Sequence, residues 1–388
     1  MRIAIDARLS YYVQGGITQY TLNLIRALAA IDRENEYLIF QRRPDQRTVV
    51  SQNNFRRVSL WAPTHHPLEQ YLFSLELAVQ GKIDIIHCTD FIPPFYYRGP
   101  SIVTVHDLNF LLYPHFLTRR SARYYGLIDR AVRRADHIIA VSEATKRDIV
   151  RLTGTPETKI TVIYEAAERI YFPIHDQEVL SQIHAKYCLP EQYILFVGTI
   201  QPRKNLATLI RAFRGLIAKY RAQADLVIVG KEGWLYSDVY QLVEDLGLRE
   251  RVHFLGRVPT ADLPHLYNAS QMLVLPSYYE GFGLPPLEAM ACGVPVIVSN
   301  TLALQEVVGD AALRAACEDE EGFTVAMWRL LTDDSLRAEM IAKGLKRVKC
   351  FSWERAAQET LRAYRKVAEQ RSVGRARLTQ YEGNYDHT

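Results

Sequence analysis

LPSYYEGFGLPPLEAMACGVPVIVS, residues 275–299, passes from a strand end through a glycine loop into a helix and out to a second strand. Before Glu280 the run MLVLPS is apolar and of strand length, and after Gly293 the run VPVIVS is another, so both read as buried strands. Gly281 and Gly283 let the backbone turn tightly between them, and Pro285 with Pro286 suits the first turn of a helix carrying Leu287 to Cys292. Such a helix start exposes free amides, where an anionic group is favoured. Glu280 falls on the loop and Glu288 in the first turns of the helix, with seven residues between them. Two carboxylates beside an anion site suit hydroxyl donors, such as those of a sugar ring or a ribose carrying a phosphate.

The same alternation extends upstream. Strand-like runs at 193–197, 226–229 and 252–255 are separated by helical runs at 206–219, 239–246 and 261–268. Leu206, Leu209, Ile210, Phe213 and Ile217 form one apolar face of the first of these helices. After Val307 the pattern is helical, at 323–331, 336–348 and 353–368, and residues 371–388 are polar and unpatterned, expected as a disordered tail. The first half reads alike, with strands at 2–7, 37–40, 58–61, 83–88, 102–106, 137–142 and 160–164, and helices at 68–79, 119–134 and 144–152. A further helix follows Gly15 and Gly16, where Ile17, Tyr20, Leu24, Ile25 and Leu28 recur at helical spacing and Thr18 is the expected N-cap.

Strands alternating with helices imply parallel pairing. The expected fold class is therefore α/β, two Rossmann-like doubly wound parallel-sheet domains facing across a cleft. The expected boundaries are an N-terminal domain at 1–170, a linker at 171–192 and a C-terminal domain at 193–350. A helix at 351–370 would return to the N-terminal domain, with the polar tail at 371–388.

A chain of 388 residues that is 48% hydrophobic is long enough for two domains with real cores. No window approaches 18 uninterrupted apolar residues and the N-terminus lacks a signal-like pattern, so the expected location is cytoplasmic. The net charge of +4 is small for this size and gives no argument for nucleic acid. Cys88, Cys188, Cys292, Cys317 and Cys350 are scattered, with no C-x-x-C spacing, so neither a disulfide framework nor a zinc site is indicated. No D-x-D pair, metal-ligand spacing or G-x-S-x-G occurs, and the expectation is chemistry without a metal or a serine nucleophile.

Four places put polar or glycine residues just after an apolar strand. Arg203 and Lys204 follow YILFVGT; two cations at a helix N-terminus conflict with the helix dipole unless an anion is shared, and a diphosphate would resolve the conflict. His106 ends SIVTVH; taken alone it reads more readily as a hydrogen-bonded structural residue. Gly15 and Gly16 do not match G-x-G-x-x-G, which counts against a nicotinamide or flavin enzyme. Glu280 to Glu288 is the fourth. Separately, the helix at 119–134 carries Arg119, Arg123, Arg130 and Arg134; a solvated charged face is the default reading and a docking face for anionic lipid at the inner face of the membrane the second.

Taken together these residues resemble the retaining glycosyltransferases of family 4, which have the GT-B fold. The likeness spans nearly the whole chain, from IAIDAR and GGITQY through TVHDLNFLLYP, ADHIIAVSEATKRDI and ITVIY to FVGTIQPRKNL, LVIVGKEGW, VHFLGRV, PSYYEGFGLPPLEAMACGVPVIVS, EVVGDAA and FSWERAA. The resemblance implies that Gly15 and Gly16 bring backbone close to the distal phosphate of a nucleotide-sugar donor. Arg203, Lys204 and the amides of Gly281, Phe282, Gly283 and Leu284 would hold the diphosphate, Glu288 the ribose, and Arg257 with Val258 would lie near the base. His106 and Glu280 would serve the transferred sugar, Glu280 as a positioning group and not a nucleophile.

No cofactor or metal is implied. The expected partners are a nucleotide sugar and a saccharide or lipid-linked saccharide acceptor. The P-R-K-N turn most resembles that of bacterial mannosyltransferases of surface polysaccharide assembly, which makes GDP-mannose the first expectation and a UDP-hexose the alternative. A UDP-sugar 2-epimerase of the same fold and a binding protein without turnover are the other classes.

The chain also departs from the family pattern. Thr199 stands where relatives have Arg, Glu165-Ala166-Ala167 where they have an Asn-Gly turn, and TLALQ where a small polar run is usual.

Overall fold

The computed structural model describes residues 1–12, 15–66, 68–116, 122, 124–233 and 236–382, with side chains described through 371. Two compact units divide the chain: Met1–Glu165 with Trp353–Thr388, and Ala166–Ser352.

The first unit holds seven strands, β1 (Arg2–Asp6), β2 (Glu36–Arg42), β3 (Phe55–Leu60), β4 (Ile85–Cys88), β5 (Ser101–Val105), β6 (His137–Ala140) and β7 (Ile160–Val162). They pair in parallel in the order β3-β2-β1-β4-β5-β6-β7. The order reverses between β1 and β4, the position at which doubly wound sheets bind ligands. β4, β5 and β6 are buried along their whole length, as strands covered on both faces must be.

The second unit holds β8 (Tyr193–Val197), β9 (Asp225–Val229), β10 (Val252–Gly256), β11 (Met272–Leu275), β12 (Val296–Ser299) and β13 (Leu313–Ala315). Their order is β10-β9-β8-β11-β12-β13, again all parallel, with the reversal between β8 and β11. β8 and β9 end so close together that a Cβ on Gly230 would lie 1.8 Å from the Gly198 carbonyl oxygen, which only glycine avoids.

Several expectations are corrected. β13 lies in a stretch read as helical; its three residues, LRA, carry no apolar run, and it exists because Ile297, Val298 and Ser299 pair with Leu313, Arg314 and Ala315. The N-cap of the helix Gly16–Ile31 is Gly15, and Thr18 is buried inside the helix. Within residues 171–192, read as the linker, a helix, Gln177–Tyr187, is capped by the Asp176 carboxylate and falls in the second unit. The last helix runs Trp353–Glu382, well into the expected tail. Arg371 donates to Asp136 Oδ1 at 2.8 Å and to the Arg98 carbonyl at 3.2 Å, a local anchor that composition does not reveal. Residues 383–388 lie outside the described residues.

The last helix belongs to the first unit for a packing reason. Ala356, Ala357, Leu361, Tyr364 and Val367 are buried in one cluster with Tyr20, Leu24, Ile25 and Leu28 of the helix Gly16–Ile31. Tyr364 Oη also meets Nδ1 of the fully buried His87 at 2.7 Å, and burial pushes that imidazole down to about 3.

Of the arginine-rich helix expected at 119–134, the stretch Ile128–Arg134 is helical, and Arg119 and Arg123 lie outside the described residues. Arg134 is not part of a solvated face. Its guanidinium donates to the carbonyls of Tyr97 and Gly99.

Candidate active site

The opening stretch folds as read, with a helix over Leu284–Ala291 between β11 and β12. Gly283 is its N-cap at φ 120°, and a Cβ there would meet Leu304 Cδ2 at 2.7 Å, so both backbone and space require glycine. Gly281 and Phe282 are buried, Phe282 packing edge-on against Phe351 at 5.7 Å. Leu284 is the first helical residue, followed by the two prolines at positions that have no intrahelical amide bond to lose.

Glu280 does not stand alone at this loop. Its Oε2 accepts from Arg203 Nη1 at 2.8 Å, and its Oε1 accepts from Lys204 Nζ at 2.6 Å and from Ser277 Oγ at 2.6 Å. Arg203 and Lys204 sit in the turn after β8 and Ser277 and Glu280 in the loop after β11. The cluster therefore straddles the order reversal of the second sheet. Arg203 also donates to the Tyr279 carbonyl at 2.7 Å, and its own carbonyl accepts from the Tyr278 amide, so the two loops are stitched by backbone as well as by charge.

Between turn and helix, Asn205 takes a left-handed conformation at φ 54°, and its amide donates to the carbonyls of Pro276 and Cys317. Burial raises the carboxyl pKa of Glu280, but the charges of Lys204 and Arg203 and the hydrogen bonds outweigh it and hold the group down at about 2. The conflict of two cations near a helix start is thus already relieved by a carboxylate from the chain itself. A carboxylate accepts about four hydrogen bonds. Three of those positions on Glu280 are taken.

Glu288 lies on the following helix and is half-buried. Its Oε2 accepts from the hydroxyl of Tyr267 at 2.7 Å, and Tyr171 lies against the same carboxylate. The two rings meet edge-on at 5.8 Å. Burial first, and the neighbouring carboxylate second, push both phenols upward, so they stay protonated donors that fix the position of Glu288. Neither tyrosine is near Glu288 in sequence, and only the fold identifies them. Arg257 is exposed and Val258 buried just after β10, the edge strand two places from β8.

In the first unit His106 follows β5. Its Nε2 meets the Thr89 carbonyl at 2.9 Å and its Nδ1 meets Glu165 Oε1 at 3.1 Å. A backbone carbonyl and a carboxylate both accept, so the arrangement favours a ring protonated on both nitrogens. Burial opposes that charge, but the hydrogen bond and charge of Glu165, the Thr89 carbonyl and the charge of Asp90 prevail, and the pKa is raised. Tyr20 packs edge-on against the ring at 4.8 Å.

Glu165 belongs to one of the three stretches that depart from the family pattern. Its role was not legible because 59 residues separate it from His106.

Thr89 begins a polar cavity at the β1/β4 reversal, lined by Asp6, His65, Glu69, Asp90 and Tyr124 among others. Arg8, fully buried, holds Asp6 at 2.7 Å and Glu69 at 3.1 Å beside it. Gly15 and Gly16 are exposed. Gly15 is in extended backbone and a Cβ on Gly16 would meet nothing within 4 Å, so nothing in the unit itself requires glycine there.

The description "Glycosyltransferase Family 4" matches residues 14–167, and "Glycosyl transferases group 1" matches residues 182–347. O-antigen chain mannosyltransferase B of Escherichia coli is 33% identical over 387 residues, covering 94% of this chain and 100% of that protein. The chain belongs to glycosyltransferase family 4. It is a hexosyltransferase enzyme with the GT-B fold.

O-antigen chain mannosyltransferase RfbU of Salmonella typhimurium is 32% identical over 267 residues, 67% of this chain and 70% of that one. Among solved structures, sucrose-phosphate synthase from Thermosynechococcus elongatus matches with a TM-score of 0.78 at 24% identity, covering 94% of this chain and 98% of that one. At that identity the match speaks for the fold alone. Both halves of this glycosyltransferase match a glycosyltransferase family model.

Proposed function

We propose that this glycosyltransferase moves mannose, with retention of anomeric configuration, from GDP-mannose to a saccharide or lipid-linked saccharide acceptor. The observation that carries the reading is the gathering of two cations at the β8/β11 reversal, where Arg203 and Lys204 both bond to the carboxylate of Glu280. A diphosphate is the ligand whose charge such a cluster complements, and the amides of the Leu284–Ala291 helix start add to it.

In this reading Arg203 and Lys204 neutralise the departing nucleoside diphosphate, the task a metal performs in other enzymes, so no metal is needed. Glu288, positioned by Tyr267, holds ribose hydroxyls. Glu280 holds one hydroxyl of the sugar. A carboxylate held near pKa 2 by two cations is a weak nucleophile, which favours attack from the face the phosphate leaves over a covalent glycosyl enzyme. Gly16 admits the distal phosphate, and His106, whose pKa is raised by Glu165, contributes a hydrogen bond to the sugar. Mannose rests on the names of the relatives, two of which are O-antigen chain mannosyltransferases.

A thermal-shift series with GDP, UDP, ADP and TDP tests the donor, since stabilisation grows with the logarithm of affinity. GDP is expected to give the largest shift, and a larger shift with UDP would replace GDP-mannose by a UDP-hexose. Incubation with the donor and acceptor in EDTA is expected to leave transfer unchanged, with NMR showing the donor's anomeric configuration in the product.

A further inference from the structure

The carboxyl rim of the first sheet carries aromatic rings that its core does not use. β1 and β3 both pair in parallel with β2 between them, so the residues that follow these three strands lie along one rim. Tyr11 closes the short helix Arg8–Tyr11 after β1, Tyr12 follows it, and Trp61 is the first residue after β3. Tyr11, Tyr12 and Trp61 are 44%, 48% and 64% exposed, and Trp61 is the only exposed tryptophan among the described residues. Scattered exposed rings are ordinary, but a row of them at the ligand-binding end of a doubly wound sheet is not.

Arginines from the strand between hold the row in place. Arg42, the last residue of β2, lies 5.6 Å over the Tyr12 ring and also donates to the Trp61 carbonyl. Arg43 lies 4.0 Å over the Trp61 ring, and Tyr11 braces Tyr12 edge-on at 5.1 Å. Tyr12 and Trp61 thus each have a guanidinium on one side and open surface on the other. Their strands are two spacings apart, roughly 10 Å, more than one pyranose ring spans.

The inner end of the row is polar. On its other side β1 pairs with β4, and at that reversal lies the cavity of Asp6, Thr89 and Asp90. His65, from the loop after β3, lines it too, its ring 3.9 Å from that of Tyr124 and its Nε2 3.4 Å from Asp90 Oδ2. The row therefore runs from a pocket of hydroxyl-binding groups, past Tyr12, to Trp61 at the sheet edge.

A saccharide chain has the matching chemistry. A pyranose ring presents C–H bonds on its face and hydroxyls around its edge; the negative face of an aromatic ring attracts the first, and guanidinium and carboxylate groups bond the second. The carboxylates at the inner end would repel an anionic headgroup.

We propose that this rim is an extended acceptor groove, in which the terminal sugar of an oligosaccharide enters the pocket at the β1/β4 reversal and the residues behind it stack on Tyr12 and Trp61. The inference rests on the reading of the acceptor as a saccharide and deepens it, since the enzyme then reads a chain and not a single sugar.

Acceptor length is the variable that tests it. The full chain is given GDP-mannose, or the UDP-hexose if the nucleotide series selects it, with saccharides of one to four residues, mannosides in one series and glucosides in another. In the series that is used, kcat/KM should rise roughly tenfold from one residue to three, through KM, because contacts to outer residues are alike in ground and transition state. W61A and Y12A should each lower the ratio of the tetrasaccharide to the monosaccharide value by roughly fivefold, and W61F should keep it. Melting curves that match the parent keep folding out of the result; should W61A unfold, Y12A carries the test.

Equal efficiency at every length overturns this inference alone and leaves the saccharide reading standing, whereas no transfer to any saccharide overturns both. A rise with length that W61A and Y12A leave intact overturns the assignment to this rim. Flotation on phosphatidylglycerol vesicles that W61A abolishes, without any dependence on acceptor length, overturns it in favour of lipid.

Discussion

Each unit ends a central part of its sheet in a buried charge pair, and the two pairs are built on opposite principles. In the second unit two cations, Arg203 and Lys204, bond to the carboxylate of Glu280. In the first unit His106 is matched by Glu165, with Asp90 close by, and the only buried guanidinium among the described residues there, Arg8, is spent on Asp6 and Glu69. One end gathers cations on a carboxylate. The other sets an imidazole among carboxylates and a backbone carbonyl. The same topology therefore yields two chemistries, because a strand order supplies the place and the loops supply the charge.

The largest expected effect comes from breaking the cation cluster. Glu280→Ala strips the carboxylate from buried Lys204 and half-buried Arg203, and removing one partner of a buried pair costs about 3 to 5 kcal/mol. Its unfolding temperature should fall, transfer should drop by roughly one to two decades, and GDP should stabilise it more than the parent because the diphosphate now supplies the missing anion. A smaller GDP shift than in the parent, with transfer intact, would end the idea that this cluster is tuned for a diphosphate.

The carboxylate down the helix should behave differently. Glu288→Ala is expected to weaken GDP by roughly 10-fold to 100-fold in calorimetry, the loss of a charged hydrogen bond, while folding changes little because Glu288 is only half-buried. Equal affinity in parent and variant would take the ribose role from Glu288.

The first-unit pair is probed by Glu165→Gln, expected to cost about 1 kcal/mol at low pH. The pKa of His106 is raised by folding, so its contribution is complete below the unfolded value of about 6.5 and is lost as pH rises through the higher folded value. Urea unfolding at a series of pH values should therefore show parent and variant converging on the alkaline side. A gap that widens with pH would contradict an imidazolium at His106.

The smallest effect is reserved for a positioning group. Tyr267→Phe removes one hydrogen bond to Glu288 and should weaken GDP roughly fivefold without changing the turnover rate. A loss of turnover at unchanged affinity would assign that tyrosine to the chemistry instead.

Much of this molecule was legible in order. Twelve of the thirteen strands of the two sheets coincide with apolar runs, because strands buried on both faces of a parallel sheet are nearly continuously hydrophobic. β13 was hidden because three residues with an arginine at the centre leave no such run. The helix Gln177–Tyr187 was hidden because one buried residue, Ile183, leaves it almost no apolar stripe. At the site, Glu280, Glu288, Arg203, Lys204 and His106 could be named from their places after strands. Their partners could not, because Ser277 is an ordinary loop serine and Tyr171, Tyr267 and Glu165 meet them only through folding.

Local sequence determined which elements form and which residues stand at the carboxyl ends of strands, since periodicity, glycine and proline act over a few residues. Tertiary structure alone decided how those charges are matched. The pairing of Glu280 with both cations joins residues 76 and 77 apart, and that of His106 with Glu165 joins residues 59 apart. Electrostatics act through space and are strongest where burial has removed the water, and neither distance nor burial is written along the chain.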